Sequence, residues 1–210
     1  MSREPRGILF GDYNSEIHPV NGIDQEIINI FQGDIDITCI EGYDRLTRSD
    51  LAGLELVICY ADRWQEKTSS KLVDAILSYV SGGGALLAIH NGIQMAVDFE
   101  LAQMLGGKFV GHPPYQDLEY TFANPKHPII QGMEPWTMGE EPYQFTFTQL
   151  HEKDIFLEYV FEGKKWPAGW TIDYGLGKIV YLAPGHDLSS FKHPSFRELL
   201  LRSSHWARGL

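Results

Sequence analysis

Residues 84–94 read Gly-Ala-Leu-Leu-Ala-Ile-His-Asn-Gly-Ile-Gln. The unbroken apolar run from Ala85 to Ile89 has the length of a strand covered on both faces. His90 ends the run. Gly92 lets the backbone pass tightly into a second periodic segment, Gln94 to Leu105, which reads as helix and stops at Gly106-Gly107. A buried strand that turns sharply into a helix is the layout of a nucleophile elbow, which projects the turn residue into a pocket. The N–H groups opening that helix would face the same pocket and favour negative charge there. Here the turn residue is histidine. Imidazole suits proton transfer near neutral pH or metal ligation, and suits acyl transfer poorly.

Working outward, the same alternation fills the first half. Ile8 to Phe10, Ile35 to Ile40 and Leu54 to Tyr60 read as strands. Ile23, Ile27, Ile28 and Phe31 recur at helical spacing within 22–31, as do Leu72, Val73, Ile76, Leu77 and Val80 within 67–80. Gly82-Gly83-Gly84 ends the second of these helices. It precedes a strand and lacks a Gly-Lys-Ser/Thr ending, so it is not a phosphate loop. Short apolar strands alternating with helices imply a mostly parallel sheet with helices on both faces. The second half is β-rich: 117–122, 144–148, 155–161, 168–173 and 178–183 read as strands that extend the same sheet. A last helix, 195–206, turns Phe196, Leu199, Leu200 and Trp206 inward. Neither a repeat nor a linker interrupts the chain, so residues 1–210 read as one domain.

The chain has 210 residues, 43% hydrophobic and 21% charged. A chain of this length buries roughly 70% of its unfolded surface and needs no covalent staples. Lys plus Arg is 17 against 28 Asp plus Glu, a net charge of −11. That balance argues against nucleic acid and against an anionic membrane surface as partners. Cys39 and Cys59 lie in apolar runs as small hydrophobes, consistent with a reducing compartment. Met1 to Arg6 is polar without a signal-like core, and no run of 18 apolar residues occurs, so a soluble cytoplasmic protein is expected.

In an open α/β sheet, ligands bind beyond the carboxyl ends of the strands. The polar residues expected there are Asp12 to His18 after the first strand, Asp62 after the third, His90 and Asn91 after the fourth, and His186 and Asp187 after the last. Glu140 and Glu141 are adjacent in an extended segment and point to opposite sides, so only one faces the pocket, and Glu141 is favoured. His112 is held in a rigid Gly-His-Pro-Pro loop. His127, before Pro128, reads as a turn former. His18, His90, His112, Glu141 and His186 are suitable ligand types for a divalent metal such as zinc, although no pair has tight local spacing. No cofactor is otherwise indicated. Trp136, Trp166 and Trp170 have aromatic faces that would stack on a sugar or pack a core.

The stretch at 84–94 resembles the elbow of class I glutamine amidotransferases, Gly-Ile-Cys-x-Gly-x-Gln, with His90 where the cysteine stands. That resemblance implies the fold and removes the thiolate on which glutamine hydrolysis depends. Longer stretches resemble the ThuA-like (trehalose utilisation) family, which shares the fold. They are His-Pro-Ile-Ile-Gln-Gly-Met at 127–133, Glu-Glu-Pro-Tyr at 140–143, Ala-Gly-Trp-Thr-Ile-Asp-Tyr-Gly-Leu-Gly-Lys-Ile-Val-Tyr-Leu-Ala-Pro-Gly-His at 168–186, and His-Trp-Ala at 205–207. Glu140 replaces an aspartate of the family and Lys178 an arginine, both keeping the charge.

The resemblance implies a flavodoxin-like, amidotransferase-like sheet and work on a small-molecule sugar such as a keto-disaccharide. Three readings follow. In the first, His90, His186, Glu141 and His112 carry acid–base chemistry as a sugar isomerase, lyase or hydrolase, with His18, Asp12, Asn91, Tyr143, Trp170 and Asp187 on the substrate side. In the second, the same histidines ligate a metal in a hydrolase or lyase. In the third, the domain binds sugar without turnover. A homo-oligomer is compatible with β-edge and aromatic surface in the second half.

Overall fold

The computed structural model describes residues 5–210, so most of the polar segment Met1 to Arg6 lies outside the described residues. Each apolar run of the first half becomes a strand and each amphipathic segment a helix. In chain order they are β1 (Arg6–Gly11), α1 (Ile23–Phe31), β2 (Asp36–Ile40), a short α2 (Arg48–Leu51), β3 (Leu56–Tyr60), α3 (Ser70–Ser81) and β4 (Ala85–Ile89). The second half adds α4 (Phe99–Leu105), β5 (Gly107–Gly111), β6 (Gln116–Phe122), β7 (Trp136–Glu140), β8 (Gln144–Phe147), β9 (Asp154–Phe161), β10 (Lys164–Tyr174), β11 (Gly177–Leu182), α5 (Leu188–Lys192) and α6 (Pro194–Arg208).

Nine strands form one sheet in the order β2-β1-β3-β4-β11-β10-β9-β6-β7. β2, β1, β3, β4 and β11 are parallel, and the remaining four add antiparallel. The carboxyl ends of β1, β3, β4 and β11 therefore share one edge, which is where a ligand site belongs in such a sheet. Every residue of β3 and β4 is buried, as expected of strands covered on both faces. Helices α1, α5 and α6 pack together on one side, and α2, α3 and α4 on the other. The side chain of Ser69 caps α3 by accepting the Leu72 N–H, and Leu72, Ala75, Ile76 and Val80 form its buried stripe. Burying each of the larger of these side chains contributes about 1.5–3 kcal/mol. Among the described residues no helix is long and apolar enough to cross a membrane.

Two expectations need correction. The segment Gln94 to Leu105 is not one helix: a 3-10 helix spans His90–Val97, and α4 begins only at Phe99. Asp98 separates them, its carboxylate accepting the Thr68 N–H at 2.7 Å. The strand at 144–147 does not extend the main sheet but pairs with β5 in a separate two-stranded ribbon. Trp206, near the end of α6, packs against the core as expected, beneath the Lys178 ammonium, which lies 4.5 Å from its ring centroid. Lys178 thus spends its charge on an aromatic face far along β11 from the strand's carboxyl end.

Candidate metal centre

The turn after β4 is a genuine elbow. His90 has φ 46, a left-handed backbone that few non-glycine residues adopt. A Cβ on Gly92 would lie 2.5 Å from the Cys59 carbonyl oxygen, so only glycine lets the turn pack on β3. Tyr181 donates its hydroxyl to the His90 carbonyl at 3.0 Å, fixing the elbow from β11. The imidazole is fully buried, and its Nδ1 lies 2.6 Å from the Ala183 carbonyl oxygen. That partner accepts, so Nδ1 carries the proton and Nε2 presents its lone pair to the interior.

Nε2 of His90 points at Glu141, 3.4 Å from Oε2. His18, from the loop after β1, places its Nε2 3.9 Å from the same oxygen. Its Nδ1 is 3.1 Å from Oδ1 of Asp62, which fixes the same tautomer as in His90. His186, after β11, places its Nδ1 3.2 Å from Oε2. These four ligand atoms all lie within 4.8 Å of one another. All four are buried, and none has a hydrogen-bond partner among the described residues. Unpartnered buried polar atoms are costly, about 1–3 kcal/mol each, and a convergent set of them indicates a shared binding partner.

The donor set fits a divalent transition ion. Three imidazoles and one carboxylate are borderline ligands suited to zinc, manganese or iron. Ligands about 2.0–2.1 Å from a tetrahedral zinc stand roughly 3.3–3.4 Å apart, close to the 3.2 and 3.4 Å separations and somewhat inside the 3.9 Å of His18. The outer contacts fit as well. Metal-bound histidines donate their other ring N–H to a carboxylate or a backbone carbonyl, as His18 does to Asp62 and His90 to Ala183.

The electrostatics favour a neutral His90 and an ionised Glu141, and pull His18 toward its protonated form until an ion displaces the proton. Burial pushes the His90 pKa down to about 4, only partly offset by Glu141, so the ring is neutral at pH 7. Burial alone would lower His18 as well, but Asp62 and Glu141 outweigh it and raise its pKa. Burial would raise Glu141, yet His18, His186 and His90 hold it well below the usual carboxylate range, so it stays ionised.

The remaining candidates divide. His112 lies 3.7 Å from Oε1 of Glu141, at the more exposed rim, its Nδ1 against the Pro113 carbonyl at 2.9 Å. The Tyr143 ring lies on His90 with centroids 4.0 Å apart, and its buried hydroxyl has no partner among the described residues. Asn91 is fully buried and donates to the Tyr60 carbonyl at 3.0 Å.

Three expected substrate contacts turn away from the cluster. Asp12 accepts from the Tyr43 hydroxyl at 2.7 Å and from the Asp62 N–H at 2.8 Å, so it holds the loop that orients His18. Asp187 caps α5, accepting the Ser189 N–H at 2.7 Å. Trp170 is fully buried, donates its indole N–H to the Leu105 carbonyl at 2.9 Å, and packs on Tyr181 with centroids 4.4 Å apart. His127, read as a turn former, is buried and stacks on Phe156 at 4.8 Å.

Glu140 has a role that the strand pattern only half predicts. It points away from Glu141, as alternation requires, and is fully buried. There it accepts the Gly185 N–H at 2.7 Å, the His186 N–H at 3.1 Å and the Ser190 hydroxyl. From the other side the Tyr60 hydroxyl donates to the Gly185 and His186 carbonyls at 2.8 and 3.1 Å. Three donors converge on Glu140, so the ionised form is the one the site completes, although burial lifts its pKa to about 7. In Glu140→Gln one amide N–H would face a donor. The His186 backbone should shift, and affinity for zinc should fall about 10–100-fold, with little change in the circular dichroism spectrum. Unchanged affinity in a zinc titration would show that Glu140 does not position His186.

The sequence matches the ThuA family, described as trehalose utilisation, over residues 21–207. No curated protein shows significant similarity to the chain. Among solved structures, a ThuA-like protein from Bacteroides uniformis superposes with a TM-score of 0.80 at 17% identity, covering 99% of this chain and 93% of its own. A ThuA-like protein from Parabacteroides merdae gives 0.79 at 17% identity, covering 98% and 90%. A cytoplasmic protein from Salmonella typhimurium gives 0.73 at 14% identity, covering 96% and 99%. These likenesses establish the fold.

Proposed function

The chain belongs to the ThuA family, and from that membership we propose that it is a metal-dependent enzyme of carbohydrate chemistry, acting on a keto-disaccharide or a related sugar in the cytoplasm. One observation carries the reading. Four buried ligand atoms, from His18, His90, Glu141 and His186, converge without partners of their own. A divalent ion held there supplies Lewis acidity toward a sugar carbonyl or hydroxyl oxygen.

The chain's own groups have distinct tasks. His18, His90, His186 and Glu141 would hold the ion. Asp62 and the Ala183 carbonyl keep two of the imidazoles in the ligating tautomer. His112, on the outer oxygen of Glu141 and more exposed than it, would take or return a proton at the edge of the cluster. Tyr143 presents an unspent hydroxyl beside His90, suited to orient a sugar oxygen. A pKa near 4 makes His90 a weak base, which favours ligation over the proton abstraction that its elbow position first suggests. Without a cysteine at the elbow, glutamine hydrolysis has no nucleophile.

Elemental analysis tests the reading directly. Protein purified without chelator should carry about one zinc, manganese or iron per chain, and His90→Ala should lose it. Oxidised disaccharides should be converted by the loaded protein and not after chelation. Full turnover by metal-free protein would overturn the assignment.

A further inference from the structure

A cavity of about 280 Å³ lies beside the elbow, lined among others by Trp64, Gln94, Lys108, Phe109 and Val110. It is slightly smaller than most small-molecule pockets, about 300–1,000 Å³, which suits one ring rather than a large cofactor. Resting on the carbohydrate reading above, we propose that this cavity binds the second, non-reacting sugar ring of the substrate.

Gln94 supplies the polar half of the argument. It is 5% exposed, lines the cavity, and neither its amide nitrogen nor its amide oxygen has a partner among the described residues. An amide offers a donor and an acceptor together, which is what neighbouring hydroxyls of a sugar require. Trp64 and Phe109 supply the apolar half. Their rings meet edge to face with centroids 5.8 Å apart. Trp64 is 44% exposed and Val110 59% exposed, so apolar surface is left open at the rim. Amphipathic aromatic faces beside a polar group suit a ring with C–H and O–H edges.

Two cations line the wall, Arg63 and the exposed Lys108. The Arg63 guanidinium binds Asp44, the Tyr43 hydroxyl at 3.2 Å and the Lys67 carbonyl at 3.3 Å. The Arg63 charge is therefore spent within the protein, and the Lys108 ammonium is left to donate to a ring hydroxyl. The cavity also adjoins the histidine cluster. Phe109 packs on Tyr143 with centroids 4.3 Å apart, and Tyr143 lies on His90. A two-ring sugar with one ring at the ion would place the other against Trp64 and Gln94.

Tryptophan fluorescence titrations of the full chain with trehalose and with glucose test this. The wild type should show saturable quenching, with trehalose binding more tightly than glucose. Gln94→Leu should weaken trehalose about tenfold or more, as expected for lost buried hydrogen bonds, while its thermal stability stays equal or rises because an unpartnered amide is removed. Trp64→Ala should weaken trehalose binding measured by calorimetry. Wild-type affinity in both variants, or no saturable sugar binding by the wild type, would overturn the subsite. Zinc titration of the same variants separates the two proposals. Lost zinc binding in the wild type with retained trehalose binding would sink the metal centre and spare the subsite, and the reverse result would do the opposite.

Discussion

Glu141→Ala should abolish stoichiometric metal binding and lower turnover of an oxidised disaccharide by about 10³-fold or more, since removing one member of a group that acts as a unit disables the unit. Glu141 is the only anion among the four ligand atoms, and its Oε2 is the atom that all three imidazoles face. Without it, three neutral nitrogens must hold a dication in a buried pocket. Glu141→Gln separates charge from shape, because it keeps the volume and one acceptor oxygen. It should bind metal weakly and regain part of the activity only at high metal concentration. Wild-type metal content in the alanine variant would remove the basis of the proposed function.

The ion-free protein gives a second readout of the same carboxylate. The folded-state pKa of Glu141 lies below its unfolded value because His18, His186 and His90 outweigh the effect of burial. Its contribution to stability is therefore present above the unfolded pKa, about 4.3, and is lost as pH falls toward the depressed folded value. Below about pH 4.5, chelated wild type should lose stability on acidification more steeply than Glu141→Gln. Metal release belongs to a different window. Protons compete for the His18 nitrogen, whose pKa is raised, so on acidification affinity should begin to fall above the ordinary imidazole value of about 6.5.

Much of the scaffold could be read from the chain, because two-sided burial writes itself as unbroken apolar runs such as 85–89. The shorter pieces could not. β7 alternates inward residues at Trp136, Met138 and Glu140, and the buried carboxylate at the last of these disguises the strand. β5, at Gly107–Gly111, pairs only with β8, so its burial is slight and its pattern weak. The cluster was legible as a set of candidate ligands, His18, His90, His112, Glu141 and His186, but no local spacing singled out the four that converge. No two of His18, His90, Glu141 and His186 lie on one local element, so topology alone brings them together. Asp62 was visible as a strand-end residue, but its part in fixing the tautomer of His18 depends on a contact across 44 positions. Gln94 carried a usable signal, since it shares the buried turn with His90. Trp64 carried none beyond being aromatic.

The two tryptophans should behave in opposite ways. Trp170→Ala removes a fully buried indole from between Phe145, Phe147 and Tyr181, with centroids 5.0, 5.1 and 4.4 Å away. Deleting such a side chain costs about 3–5 kcal/mol, and the Leu105 carbonyl loses its donor. For a chain of this size the thermal midpoint should fall by roughly 10 °C or more. The damage should also reach the elbow, because Tyr181 both borders the new cavity and holds the His90 carbonyl. Metal affinity should weaken without any ligand being touched. Trp64→Ala, at a rim position, should move the midpoint by little, within about 0.5 kcal/mol of stability, and act on sugar binding alone. If Trp170→Ala melts like the wild type and loses trehalose binding instead, the indole faces substrate, and the packing of the β8 to β11 region against the elbow must be drawn differently.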